Sequence, residues 1–184
     1  FLSDATDLVA ETTDLNDTQD VFLYQRNSGV ISLVSHSESD ANTTLSGFSF
    51  ADDISADGEW VLFSSDASDV VSGTADNNGD YDVFTYHRIT GEINIVSRSV
   101  VDLAVAANDS SVGNSISENG EWILFYSDST DLVDGMRDGN GVRDVLLYQR
   151  ETDTMKLVSR SVSGATSTAN SYSDPIAISA NGKW

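Results

Sequence analysis

Apolar residues fall in short bursts along the chain, separated by stretches of Ser, Asp, Asn, Gly and Thr, and no stretch sustains a helical period. One burst is EWVLFSS from Glu59, entered from Asp57-Gly58, a dipeptide suited to tight hairpin turns because both residues tolerate positive φ. The next, DVFTYHR from Asp82, is apolar on the consecutive positions Val83 and Phe84, which predicts a strand covered on both faces. A third alternates, with Ile93 and Ile95 around Asn94, in the manner of a half-solvated outer strand. A less regular segment leads up to Ile54. In chain order these are segments a, ending at Ile54, then b from Glu59, c from Asp82 and d around Ile93. The turn signals predict a hairpin between a and b and another between c and d.

The whole set recurs. DVFTYHR has counterparts in DVFLYQR from Asp20 and DVLLYQR from Asp144; ISADGEWVLFSSDASD from Ile54 returns as ISENGEWILFYSDSTD from Ile116 and begins again as ISANGKW from Ile178. Corresponding residues lie 62 apart, so Phe1, Phe63 and Phe125 share one register. A fixed period of this size indicates one supersecondary unit used repeatedly. The units are residues 1–62, 63–124 and 125–184, the first starting and the last ending inside segment b, and they read as three repeats of a longer array.

A four-stranded antiparallel meander with buried inner strands and a wet last strand describes a β-propeller blade packed between neighbours. The predicted fold is therefore all-β, a β-propeller segment of four-stranded antiparallel blades, with a closed three-repeat β-trefoil as the alternative. The connections from d to the next a, SHSESDANTTLSGF from Ser35 and SRSVVDLAVAANDSSVG from Ser97, read as polar surface loops.

Charge narrows the partners. Thirty acidic side chains against nine basic ones give a formal charge of -21, which repels nucleic acid and anionic membranes and favours cations, while also keeping a protein soluble in salt. The chain has no cysteine, so disulfides, thiolate metal sites and a cysteine nucleophile are excluded. The longest apolar run, around Val100 to Ala107, is too short to cross a bilayer, and no membrane insertion is expected. The opening FLSDATD has no basic region or cleavage site, which places any export signal upstream.

The pattern I-S-x-[DN]-G-[EK]-W-[VI]-L-F-x-S-D, followed by D-V-[FL]-x-Y-x-R and a V-S ending, resembles the WD40-like, TolB-type β-propeller repeat of bacterial periplasmic and secreted proteins. The resemblance covers the whole chain. It implies the fold and an extracellular, cell-surface or periplasmic setting, and leaves function open, since such propellers serve as scaffolds, binding platforms and gates to peptidase domains. At 62 residues the repeats exceed the usual blade of about 40, with the extra length in the b to c loop and the d to a connection.

The b to c loops concentrate the acids. Each carries D-x-N-x-x-x-D: Asp14, Asn16 and Asp20; Asp76, Asn78 and Asp82, with Asp80 between; and Asp138, Asn140 and Asp144. Oxygen ligands at positions one, three and seven suit calcium, and Gly79 and Gly141 at position four let a loop bend around an ion. The spacing is not that of an EF-hand, whose twelfth position is Gln25, His87 or Gln149 here instead of glutamate. The competing explanation is that these Asp and Asn residues form Asx-turns that launch segment c.

Other candidates read as structural. Ser55 to Trp60 is explained by its turn, Trp60, Trp122 and Trp184 by packing between blades or at their rim, and His36 and His87 as surface residues. No nucleophile elbow, zinc helix or phosphate loop is present, and carboxylate pairs repeated in every unit suit a structural ion site better than a single catalytic centre. The sequence thus predicts a non-catalytic, calcium-braced propeller acting as scaffold or adhesion platform for a protein or glycan, with neighbouring blades or self-association covering its faces. The alternative is an accessory propeller that positions substrate for a hydrolase domain elsewhere.

Overall fold

A computed structural model describes residues 1–184 as thirteen β-strands without a helix. Three successive antiparallel sheets carry the fold. The first joins β1 (Leu2–Ser3), β2 (Asp20–Gln25) and β3 (Val30–Leu33); the second joins β6 (Ser49–Ile54), β7 (Trp60–Ser65), β8 (Asp82–His87) and β9 (Glu92–Ile95). The third joins β10 (Ser111–Ile116), β11 (Trp122–Ser127), β12 (Asp144–Gln149) and β13 (Thr154–Leu157). Strand order within each sheet follows the chain, as in a propeller blade. Each sheet is made within one turn of the repeat, and the trefoil alternative does not form.

Registers repeat with the sequence. Leu2 faces Val21, Ser64 faces Val83 and Tyr126 faces Val145. The predicted hairpins are both present, a with b as β6 and β7, c with d as β8 and β9.

Hydrophobic residues sort by face into two layers between the blades. Val61, Phe63, Phe84 and Tyr86 pack with Val21 and Val34 of the first blade, whereas Leu62 and Val83 point the other way, to Ile123, Phe125 and Leu146 of the third. Alternation within β7 thus serves two cores at once. Burial on both faces, predicted for every segment c, is complete only in β8; Tyr24 of β2 is 52% exposed and β12 is half-buried beyond Leu146. The middle sheet alone has a blade on either side among these residues.

Two sequence expectations need correction. The d to a connections are not simply surface loops: the first contains a small hairpin, β4 (His36–Ser37) with β5 (Asp40–Thr44), and Leu45, Ala106 and Ala107 are buried. Short parallel bridges, Thr13 with Thr43, Ala75 with Val105 and Arg137 with Ser167, lay each connection against a b to c loop. Backbone pairing and a few apolar anchors hold it down despite its polar composition. His36, read as a surface residue, is 5% exposed, meets Tyr86 edge to face at 5.8 Å between centroids, and shares a hydrogen bond between Nδ1 and Ser37 O.

Candidate functional site

Each b to c loop runs from the end of segment b to the start of segment c, and its first aspartate is ordered by the turn it makes. Asp76 Oδ1 accepts from the N–H groups of Asn78 (3.1 Å) and Gly79 (3.0 Å), an Asx-turn. Asp14 Oδ1 does the same with Asn16 and Asp17, and Asp138 Oδ1 with Asn140 and Gly141. Asn78 Oδ1 in turn accepts from Asp80 N, while its amide donates to Ala107 O (2.7 Å). Asn140 donates to Ala169 O and Asn16 to Gly47 O. The asparagine is therefore a cross-tie between the b to c loop and the d to a connection. Sequence reasoning missed this because the acceptors are backbone carbonyls.

The third predicted ligand opens segment c and is buried in every copy: Asp20, Asp82 and Asp144 are 3%, 2% and 1% exposed. Each accepts a hydroxyl hydrogen bond on Oδ1, from Ser35 (3.0 Å), Ser97 (2.6 Å) and Ser159 (2.7 Å). Those serine oxygens also accept the N–H of Val21, Val83 and Val145, each at 2.9 Å. An Asp–Ser–backbone clasp thus joins the start of c to the end of d. The serine is the S of the V-S ending, whose role its distance in sequence concealed. Ser97→Ala leaves Asp82 and the Val83 N–H without this partner and should cost about 1–3 kcal/mol in denaturant unfolding.

Burial dominates the electrostatics. Desolvation raises Asp82 to about 7 against the Ser97 hydrogen bond, and the negative charges of Asp76 and Asp131 add to the rise. Asp20 is raised to about 6 by desolvation, with Asp14 and Asp4 contributing, and Asp144 is raised by desolvation with Asp138 and Asp128 contributing. None of the three forms an ion pair with a lysine or arginine. A cavity of about 10 Å³ lies between Asp76 and Asp82, walled by Thr74, Val70 and Ile95, enough for one water-sized species.

The structure therefore brings together positions one, three and seven of each loop. Asp14, Asp76 and Asp138 are half-buried beside buried partners, whereas Asp80 is exposed and enters the network only through its N–H. The donor set is all oxygen, which fits a hard cation. The Asx-turns also form, so turn geometry and ion chemistry draw on the same residues.

The tryptophans are placed between blades. Trp60 stacks on His87 of its own blade (4.3 Å between centroids), with the Arg150 guanidinium of the next blade 3.7 Å from its ring centroid. Arg150 Nε donates to Gly120 O (3.0 Å), and Gly120 lies against the indole edge. Both faces of Trp60 are occupied, leaving none for a sugar. Arg88 Nε makes the equivalent bond to Gly58 O at 2.8 Å, so the arginine closing segment c pins the a to b turn of its own blade.

No family model and no curated protein matches this chain. Among solved structures it is similar to TolB from Acinetobacter baumannii, at 16% identity and a TM-score of 0.48 over 90% of this chain and 30% of that one. It is also similar to the tricorn protease, at 17% identity and a TM-score of 0.49 over 90% of this chain and 12% of that one. The chain thus spans less than a third of either protein's length. Both are β-propeller proteins, the fold that the order and stacking of the sheets give this chain.

Proposed function

We propose that this chain is a non-catalytic β-propeller module whose b to c loops hold calcium or a similar hard cation, and whose surface is a scaffold or binding platform for a protein or glycan. The observation that carries the cation reading is Asp82. It is a buried carboxyl near a second carboxylate, Asp76, with a cavity of about 10 Å³ lined by both and no ion-pair partner. A cation supplies the missing positive charge. In the second loop it would be held by Asp76, Asn78 and Asp82, with Asp80 as a further carboxylate; in the others by Asp14, Asn16 and Asp20, and by Asp138, Asn140 and Asp144.

An ion bound only by the folded loop stabilises it by linkage. With a Kd of roughly 0.1 to 1 mM, as in extracellular calcium modules, about 10 mM calcium adds about 1–3 kcal/mol per site. Calcium bracing of that strength suits an extracellular, cell-surface or periplasmic setting. The test is a thermal melt against free calcium, with chelator as baseline and magnesium as control. The melting temperature should rise with calcium, rise less in Asp82→Asn and Asp144→Asn, and stay flat when Asp20→Asn is added to both. A full response in the triple variant would sink the cation reading.

A further inference from the structure

The second and third blades enclose a crevice of about 300 Å³ between them. One wall is β8 and β9; the other is β12 and the turn that follows it. On the first wall Thr85 of β8 stands opposite Asn94 of β9, with Glu92 two residues away on the same face. The same pair is Leu23 with Ser32 in the first blade and Leu147 with Lys156 in the third. A hydroxyl thus replaces leucine at a position that β8 buries, for Thr85 is 1% exposed. Its side chain makes no hydrogen bond within the chain, yet no buried polar atom lacks one, so Oγ1 opens into the crevice.

The opposite wall is polar as well. Tyr148 Oη donates to Asp153 Oδ1 (3.0 Å), and Arg98, just beyond β9, pairs with Asp153 Oδ2 across the crevice. Arg150 lies over the Trp60 ring with its Nε on Gly120 O, and its terminal nitrogens have no partner within the chain. Asn94 Nδ2 donates to Glu92 Oε1 (3.2 Å), which leaves Asn94 Oδ1 and Glu92 Oε2 free. Two guanidiniums and two carboxylates balance here, in a molecule whose formal charge is -21.

We propose that this crevice binds a neutral sugar residue of a glycan, held at its hydroxyls by Thr85, Asn94, Glu92 and Arg150. The proposal rests on the reading of the chain as a binding platform and commits that platform to a glycan. An ionic ligand would pair with one set of charged side chains and leave the other set facing its own sign. An apolar ligand would strip water from the Thr85 hydroxyl and the Arg150 nitrogens and give them no partner. A sugar hydroxyl donates and accepts at once, so one ring meets the acceptors Glu92 and Asn94 Oδ1 and the donors of Arg150. Trp60 offers only its edge, since His87 and Arg150 hold its faces, and recognition is by hydrogen bonding without stacking. At about 300 Å³ the crevice is at the small end of ligand sites, which suits a single ring.

Saturation-transfer NMR on the 184-residue chain tests this with a pool of neutral methyl glycosides of glucose, galactose, mannose and xylose. Glucuronate and glucosamine serve as charged sugars, and N-acetylglutaminamide as a neutral peptide probe. A neutral glycoside should bind saturably and most tightly. Thr85→Val keeps the shape and removes the hydroxyl, and should raise the Kd about tenfold, as should Thr85→Leu; Thr85→Ser should hold it within about threefold. Neither Thr85→Val nor Thr85→Leu should lower the urea midpoint, leucine being the residue of the other two blades. Asn94→Ala, at an exposed position without consequence for the fold, should raise the Kd as well. Three results would overturn the proposal: no binding of a neutral glycoside, binding that these substitutions leave unchanged, or a Thr85-dependent preference for a charged sugar or the amide. The second and third still leave a binding platform, at another place or for another ligand, whereas no binding by any probe counts against the platform itself.

Discussion

Gly120→Ala should destabilise the fold by about 2–5 kcal/mol, read as a fall in the urea midpoint at unchanged slope. Two costs combine. The residue sits at φ +70°, where an L side chain costs about 1–2 kcal/mol. A Cβ built there would also land inside the Trp60 indole, and overpacking of that kind costs about 1–3 kcal/mol. The indole has little room to retreat, with His87 stacked on it and Arg150 over the ring. Gly91→Ala is the control: φ is +73°, yet nothing lies within 4 Å of the added methyl group, so only the first cost applies. The double variant Gly120→Ala, Trp60→Ala should show strong coupling, since removing the indole removes the clash. Equal costs at Gly91 and Gly120 would mean that the blade contact is not what demands glycine.

What the sequence disclosed and what it hid follow from the range of the interactions. Segments b, c and d were legible because each is an apolar burst bounded by turn residues. Segment a was legible only as an irregular stretch before the turn, because bulges between Ala51 and Asp53 and between Gly113 and Ser115 break its alternation. The acids of the b to c loops stood out by spacing, and in each loop the first aspartate and the asparagine share one turn. Their partners were hidden: the serine that clasps each buried aspartate lies 15 residues on, at the end of segment d. The carbonyls tied by Asn16, Asn78 and Asn140 have no side-chain signature at all. His36 and Leu45 were misplaced for the same reason, being buried by a connection whose neighbours in sequence are polar. Asp52, carried on segment a, gave no sequence signal, yet its environment perturbs it as much as any loop residue.

That environment yields the second large effect: without calcium, stability should rise on acidification from about pH 8 to about pH 5. Asp52 and Asp82 are each raised to about 7 and Asp20 to about 6, chiefly by desolvation, against about 3.9 in an unfolded chain. Between those values the folded protein holds protons that the unfolded chain has released. Stability is therefore greatest near the unfolded value and is lost as pH climbs through about 6 to 7. The penalty above pH 7 is on the order of 4 kcal/mol for each of Asp52 and Asp82. Asp40 and Asp57, held below the usual range by hydrogen bonds from Asn42 N and Ser55 Oγ, oppose this only when the pH falls below about 4. Denaturant unfolding across pH, with chelator present, measures the profile. Asp82→Asn keeps an acceptor for Ser97 but cannot ionise, and should remove its share of the slope; Asp52→Asn, beside Ser64, should remove another. If the loops bind calcium as proposed, saturating calcium should flatten the part due to the loop carboxyls and leave that of Asp52. A chelated protein whose stability climbed steadily from pH 5 to pH 8 would show that these carboxyls are not held in the desolvated state that their burial requires.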